Sequence, residues 1–143
     1  MSQDNTGFQL PASEALLDLI FLALDHGVNS VSEGGLLIPF LMAEAKGERE
    51  LHRFVSSTLE EGIAAAKKLA AELPSTVVAY AIAYDGYLTM GDQRTDAIFV
   101  EGAERNGTYG LRFAQRYQPN PFQTIGNPAY LGECEQLLAP DPR

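Results

Sequence analysis

Asn106-Gly107, placed between two stretches that alternate apolar with polar residues, constrains this chain more than any other feature. Both residue types tolerate positive φ, so the pair predicts a two-residue type I′ turn closing an antiparallel hairpin. With 106 and 107 in the loop, partner numbers sum to 213 (106 + 107), which sets Glu101 opposite Arg112, Val100 opposite Phe113 and Asp96 opposite Tyr117. Side chains alternate between the two faces of a strand, so Asp96 shares the apolar face of Ile98 and Val100, whereas Glu101 lies on the other face with Arg112. A charge on an apolar face needs a donor, so loss of the Asp96 carboxylate is expected to cost more stability than loss of Glu101 in an exposed cross-strand pair.

The rest of the chain arranges itself around that hairpin. From Pro11 to His26 apolar residues run almost unbroken, with Pro11 or Ser13 to open a helix and Gly27 to close it. A helix of that length does not cross a bilayer. Being apolar on nearly all sides, it needs cover from the rest of the chain or from a second subunit, and Leu16, Leu17, Ile20, Phe21 and Leu24 are the residues such an interface would use. Leu36 to Glu44 has strand length, and Pro39 within it favours an edge or a bulge. Lys46-Gly47-Glu48 reads as a turn and Arg49 to Val55 as the return strand. Ser57 and Glu60 stand at capping-box spacing before a helical stripe that stops at Pro74. Val78, Tyr80, Ile82 and Tyr84 oppose the small Val77, Ala79, Ala81 and Ala83, as in a strand buried on both faces with a helix against the small side. Asp85-Gly86 reads as a bulge, Gly91-Asp92 as the next turn, and Tyr130 to Leu138 as one or two helical turns.

Five of the eight prolines fall in the last 25 residues, so the organisation expected is a flexible 1–11, a single α+β domain over 12–118 and a proline-rich strap or tail over 119–143. The fold class expected is α+β: two main helices and a five-stranded antiparallel sheet, in the order helix, two strands, helix, three strands. This element order resembles the roadblock and profilin-like group. The resemblance implies the spatial strand order 2-1-5-4-3, and members of the roadblock group act as dimeric scaffolds and regulators of small GTPases. Separately, Tyr84-Asp85-Gly86-Tyr87-Leu88-Thr89 followed by Arg94-Thr95-Asp96-Ala97-Ile98-Phe99-Val100-Glu101 resembles a pattern in a family of small uncharacterised bacterial proteins, which implies no activity.

A net charge of -9, with six carboxylates and no Lys or Arg in residues 1–45, repels phosphate backbones and anionic lipid and argues against a nucleic-acid or membrane partner. Met1 to Gly7 lacks the features of a secretory leader, so the expected location is the cytoplasm. Asp85, Asp96 and Glu101 invite comparison with nuclease metal sites, but Glu101 is followed by Gly102 and Ala103 where such a site carries lysine, and the carboxylates fall on two faces. His26 and His52 lack metal-ligand spacing, and Glu133 and Glu135 disfavour a Cys134 thiolate. No metal, cofactor or catalytic residue is expected. Asn127-Pro128-Ala129-Tyr130 matches an adaptor-recognition peptide, and an Asn-Pro turn before a docking tyrosine explains it more simply.

Two function classes remain. One is a non-enzymatic interaction or regulatory module acting as a homodimer, with an acidic secretion chaperone as a variant. The other is a small-molecule binding protein or enzyme with a site near Asp85, Tyr87, Arg94 and Asp96, since Tyr80, Tyr84, Tyr87, Phe99, Tyr109, Phe113 and Tyr117 are too many aromatics for one sheet face to hide.

Overall fold

A computed structural model describes residues 12–140, so the flexible stretch expected at 1–11 lies outside the described residues. The elements are α1 (Glu14–Ser32), β1 (Phe40–Ala45), β2 (Glu48–Arg53), α2 (Leu59–Ala71), β3 (Ala79–Met90), β4 (Gln93–Glu104), β5 (Gly110–Pro119) and β6 (Phe122–Cys134). They build an α+β fold on one six-stranded antiparallel sheet in the order β2-β1-β3-β4-β5-β6.

That order corrects the expected five strands and the arrangement 2-1-5-4-3. The difference lies in residues 119–134, expected to be tail: they return along β5 as β6, with Pro119 opposite Phe122 and Gly110 opposite Cys134. Because β6 satisfies the free edge of β5, β1 pairs with β3 instead, Ala43 facing Tyr80. Pro128 is tolerated since β6 is an edge strand, where a missing N–H faces no partner. Two register shifts accommodate the irregular stretch, and the buried Gln115 amide donates across one of them to the carbonyls of Ile125 (3.3 Å) and Gly126 (3.1 Å). The helical turns expected at Tyr130 to Leu138 are absent. Residues 130–134 belong to β6, and 135–140 form a short strap held by buried Leu138, by Gln136 on the Glu104 and Gly107 carbonyls, and by Arg105 on Ala139.

The sheet is covered on both faces. Ala79, Ala81 and Ala83 turn with Phe40, Met42, Ile98, Val100, Leu111 and Phe113 toward α1, while Tyr80 and Ile82 turn with Leu41, Ala43 and Ala103 toward α2 and the strap. Ser13 caps α1, its hydroxyl accepting from the Leu16 N–H at 3.1 Å, and the helix continues through Gly27 to Ser32 rather than stopping there. Gly27 serves packing instead of termination, since a Cβ at that position would lie 2.9 Å from Ile98 Cγ2. At 19 residues α1 is long and apolar enough to cross a membrane by length and composition, contrary to the shorter helix expected. Here it lies on the sheet with Leu16, Leu19, Ile20, Ala23 and Leu24 buried. In α2 the capping hydroxyl is Thr58, one residue later than Ser57, and it accepts from Glu61 at 3.1 Å.

Two turn assignments also change. Lys46 (φ 52°) and Gly47 (φ 81°) both adopt positive φ between paired Ala45 and Glu48, so the type I′ geometry occurs there. At Asn106-Gly107 strand pairing stops at Gly102 and Leu111, and the Gly107 N–H closes the turn onto the Glu104 carbonyl at 3.0 Å. The register expected from that turn nevertheless holds, with Glu101 opposite Arg112, Val100 opposite Phe113 and Asp96 opposite Tyr117. No bulge forms at Asp85-Gly86, whose partners are Ile98 and Ala97 in unbroken register. Gly86 makes room for an aromatic ring, because a Cβ there would lie 3.0 Å from Phe99, which stacks on Tyr84. Pro39 precedes β1, which is an interior strand rather than an edge.

Candidate functional site

Asp85, Tyr87, Arg94 and Asp96 come together at the far end of the β3–β4 hairpin, on the α1 face by strand parity. Asp96 stands opposite Tyr87 on one side and Tyr117 on the other. The Tyr117 hydroxyl donates to both oxygens of Asp85, at 2.8 and 3.0 Å, and the Gly86 N–H donates to Oδ1 at 2.9 Å. Burial pushes the Asp85 carboxyl above its ordinary range, the bonds from Tyr117 and Gly86 pull it back, and the Asp96 charge raises it again. Tyr117 is displaced upward by burial and by the Asp85 carboxylate it serves. Arg94 rests its guanidinium 4.3 Å from the centroid of Tyr87, a ring that is 63 % exposed. A depression of about 290 Å³ is bordered by Tyr87, Arg94, Thr95 and Asp96. Among the described residues the Asp96 carboxylate has neither a hydrogen bond nor an ion pair.

Asp85 also lines a second concavity of about 300 Å³, a groove between the segment Leu36 to Pro39 and the loop Phe54 to Leu59. The Phe54 N–H donates to the Pro39 carbonyl at 2.9 Å and ties the two walls together. Leu37 turns into the core, which leaves Leu36 (90 % exposed), Val55 (82 %), Ile38 and Leu59 facing outward around the opening. Ser56, Ser57 and Thr58 give one wall a polar rim at the start of α2. Leu36 to Glu44 has the length and composition of a single strand, so the apolar pattern alone does not reveal this groove. The Gly34-Gly35 pair and Pro39 bracket a non-strand segment, and that was the available signal.

Glu101 does not join the other two carboxylates. It lies on the α2 face, 5 % exposed, where it accepts from Tyr84 at 2.5 Å and from Arg112 at 2.9 and 3.2 Å, with Lys67 at 3.8 Å. The cross-strand pair with Arg112 is as expected, but its carboxylate is buried rather than exposed, while Asp96 is the more accessible of the two acids. Burial and the Glu101 charge push the Cys134 thiol up to about 11, so the group stays protonated near neutrality and is a poor nucleophile there. His26 packs edge-on against Phe40 and His52 approaches Glu50 at 3.4 Å, and no hydrogen bond or ion pair among the described residues joins either to Asp85 or Asp96. No group of three metal-ligating side chains occurs among the described residues.

Of the helix residues expected at an interface, Leu16, Ile20 and Leu24 are buried against the chain's own sheet, and only Leu17 and Phe21 keep appreciable exposure. Asn127 to Tyr130 lies within β6, with Ala129 paired to Ala114 and Tyr130 to Phe113, so it is strand rather than an Asn-Pro turn. No family model, curated protein or solved structure matches this chain.

Proposed function

We propose that this chain is a non-catalytic interaction module that takes an apolar segment of a partner protein into the groove between Leu36–Pro39 and Phe54–Leu59. The observation that carries this reading is the concentration of outward-facing Leu36, Ile38, Val55 and Leu59 around one concavity. Singly exposed apolar residues need no explanation, but several bordering a pocket mark an interaction surface. An enzymatic reading finds less support: Asp85 is engaged by Tyr117, Glu101 by Arg112, and the Cys134 thiol is held protonated. The sheet covers the inner face of α1 but leaves Phe21 (38 % exposed) and Leu22 (39 %) on its outer face, so a homodimer through that face stays the second form of the interaction reading.

The test is chemical-shift mapping with a short peptide containing Leu-Ser-Val. Titration is expected to move the amide signals of Leu36, Ile38, Val55 and Leu59, and Val55→Asp is expected to abolish the response without altering the fold, since Val55 projects into solvent. Perturbations confined to α1 or to the β6 edge would overturn the assignment.

A further inference from the structure

We infer that the partner segment carries a basic side chain just beyond its apolar anchor, received by Asp85 and Asp96 beside the exposed ring of Tyr87. This rests on the groove reading above and adds the chemistry of the ligand. Continuity comes first: Asp85 lines the groove, Tyr117 bonds Asp85 and stands opposite Asp96, and Asp96 borders the adjoining depression. An extended segment leaving the groove past Asp85 therefore reaches Asp96 next.

Charge complementarity chooses the occupant. Two carboxylates in the sheet are matched by cations, Glu44 by Arg49 at 3.0 Å and Glu101 by Arg112 at 2.9 Å, while Glu104 takes neutral donors from Ser13. Asp85 receives only neutral donors, from Tyr117 and Gly86, and among the described residues Asp96 receives none. Arg94, two residues from Asp96 on the same face, lies over Tyr87 instead of against either acid. Two unmatched, partly buried carboxylates are unfavourable in the free protein and favourable once a cation arrives. The exposed ring of Tyr87 suits a lysine or arginine, whose aliphatic stem packs along it while its charged end reaches the carboxylates, and buried Tyr117 holds Asp85 in place behind them. The net charge of -9 draws a basic partner from a distance.

The experiment uses fluorescence anisotropy on the full chain with labelled peptides in which Leu-Ser-Val is followed, after one, two or three residues, by Lys, and with twins carrying Gln there. The best lysine peptide is expected to bind about tenfold more tightly than its Gln twin at low salt, a preference that shrinks as salt rises. Asp96→Asn is expected to cut the preference to less than half, with Asp85 still present, and Arg94→Gln to strengthen it by removing a competing charge. Equal binding of the twins to the wild type would overturn this inference while leaving the groove intact. Binding of neither peptide, or binding indifferent to Val55→Asp, would overturn the groove itself. Peptide binding that appears only after removal of residues 1–11, or dimerisation lost in Val55→Asp without peptide binding, would assign the groove to the chain's own segment or to a second copy, against the proposal.

Discussion

Glu101 and Asp96 sit five residues apart on one strand, and their environments reverse the order of importance that strand parity alone suggests. Parity places Asp96 on the α1 face, but near the end of the sheet that face is open, whereas Glu101 is sealed and holds Tyr84 and Arg112. Glu101→Gln is therefore expected to cost about 1–3 kcal/mol, the range for a buried, hydrogen-bonded charge whose cations keep partial access to water. Asp96→Asn breaks no hydrogen bond among the described residues and removes a like charge beside Asp85, so it is expected to leave stability unchanged or to raise it by up to about 0.5 kcal/mol. Urea melts of the two variants check the ranking. Asp85 supplies a pH test. Its folded-state carboxyl titrates above the ordinary value of 3.8 because of burial, so the neutral form favours folding. That contribution is complete below the unfolded value and disappears as pH rises through the raised folded value. Asp85→Asn keeps an acceptor for Tyr117 and stays neutral, so it should gain stability on the wild type across that window and hold the gain at neutral pH. Thermal melts of both proteins from acid to neutral pH read the difference, and a gap that does not change with pH would contradict the sign.

Elements were legible where local chemistry and tertiary context agree. The Asn106-Gly107 pair fixed the β4–β5 register, and the alanine face of β3 anticipated a closely packed helix, although α1 rather than the alanine-rich α2 occupies it. Strand β6 was not legible, because Pro119, Pro121, Pro128, Gly126 and Gly132 carry the local signature of loop and only the unpaired edge of β5 makes a strand of them. The candidate site was half legible. Strand register brings Tyr87, Asp96 and Tyr117 into line, but the groove depends on how two loops meet, and no periodicity encodes that. The approach of α1 to the sheet also relies on absent side chains. A Cβ at Gly102 would lie 2.8 Å from Ile20 Cγ1 and 2.9 Å from the Tyr80 carbonyl, and the backbone oxygen has nowhere to retreat. Gly102→Ala is expected to cost about 1–3 kcal/mol through overpacking. At Gly27→Ala the clash is with side-chain Ile98 Cγ2, and the helical preference of alanine, about 1 kcal/mol over glycine, offsets part of it. A smaller drop in denaturation midpoint for Gly27→Ala than for Gly102→Ala is the expected outcome, and the reverse order would show that the sheet, rather than the helix, yields at this contact.

Over the whole molecule the charge is unbalanced in a way the fold concentrates. Residues 1–45 contribute six carboxylates and no lysine or arginine, and 19 of those residues form α1, with no basic residue in its last turn. Glu33 caps the helix C-terminus, where the partial negative charge of unsatisfied carbonyls opposes its own. The like charges repel one another and the helix end, and solvent and salt screen both terms. Glu33→Lys reverses the local sign and brings the net charge from -9 to -7, so it is expected to stabilise the fold by about 0.3–1 kcal/mol at low ionic strength. Because the gain is electrostatic and exposed, it should fall by more than half in molar salt, where the Debye length is about 3 Å. Chemical denaturation by urea, which leaves ionic strength free to vary, measures both values. A gain that persists undiminished in high salt would assign the effect to helix propensity or local packing, and would remove the helix terminus as the place where the acidic surplus weighs on stability.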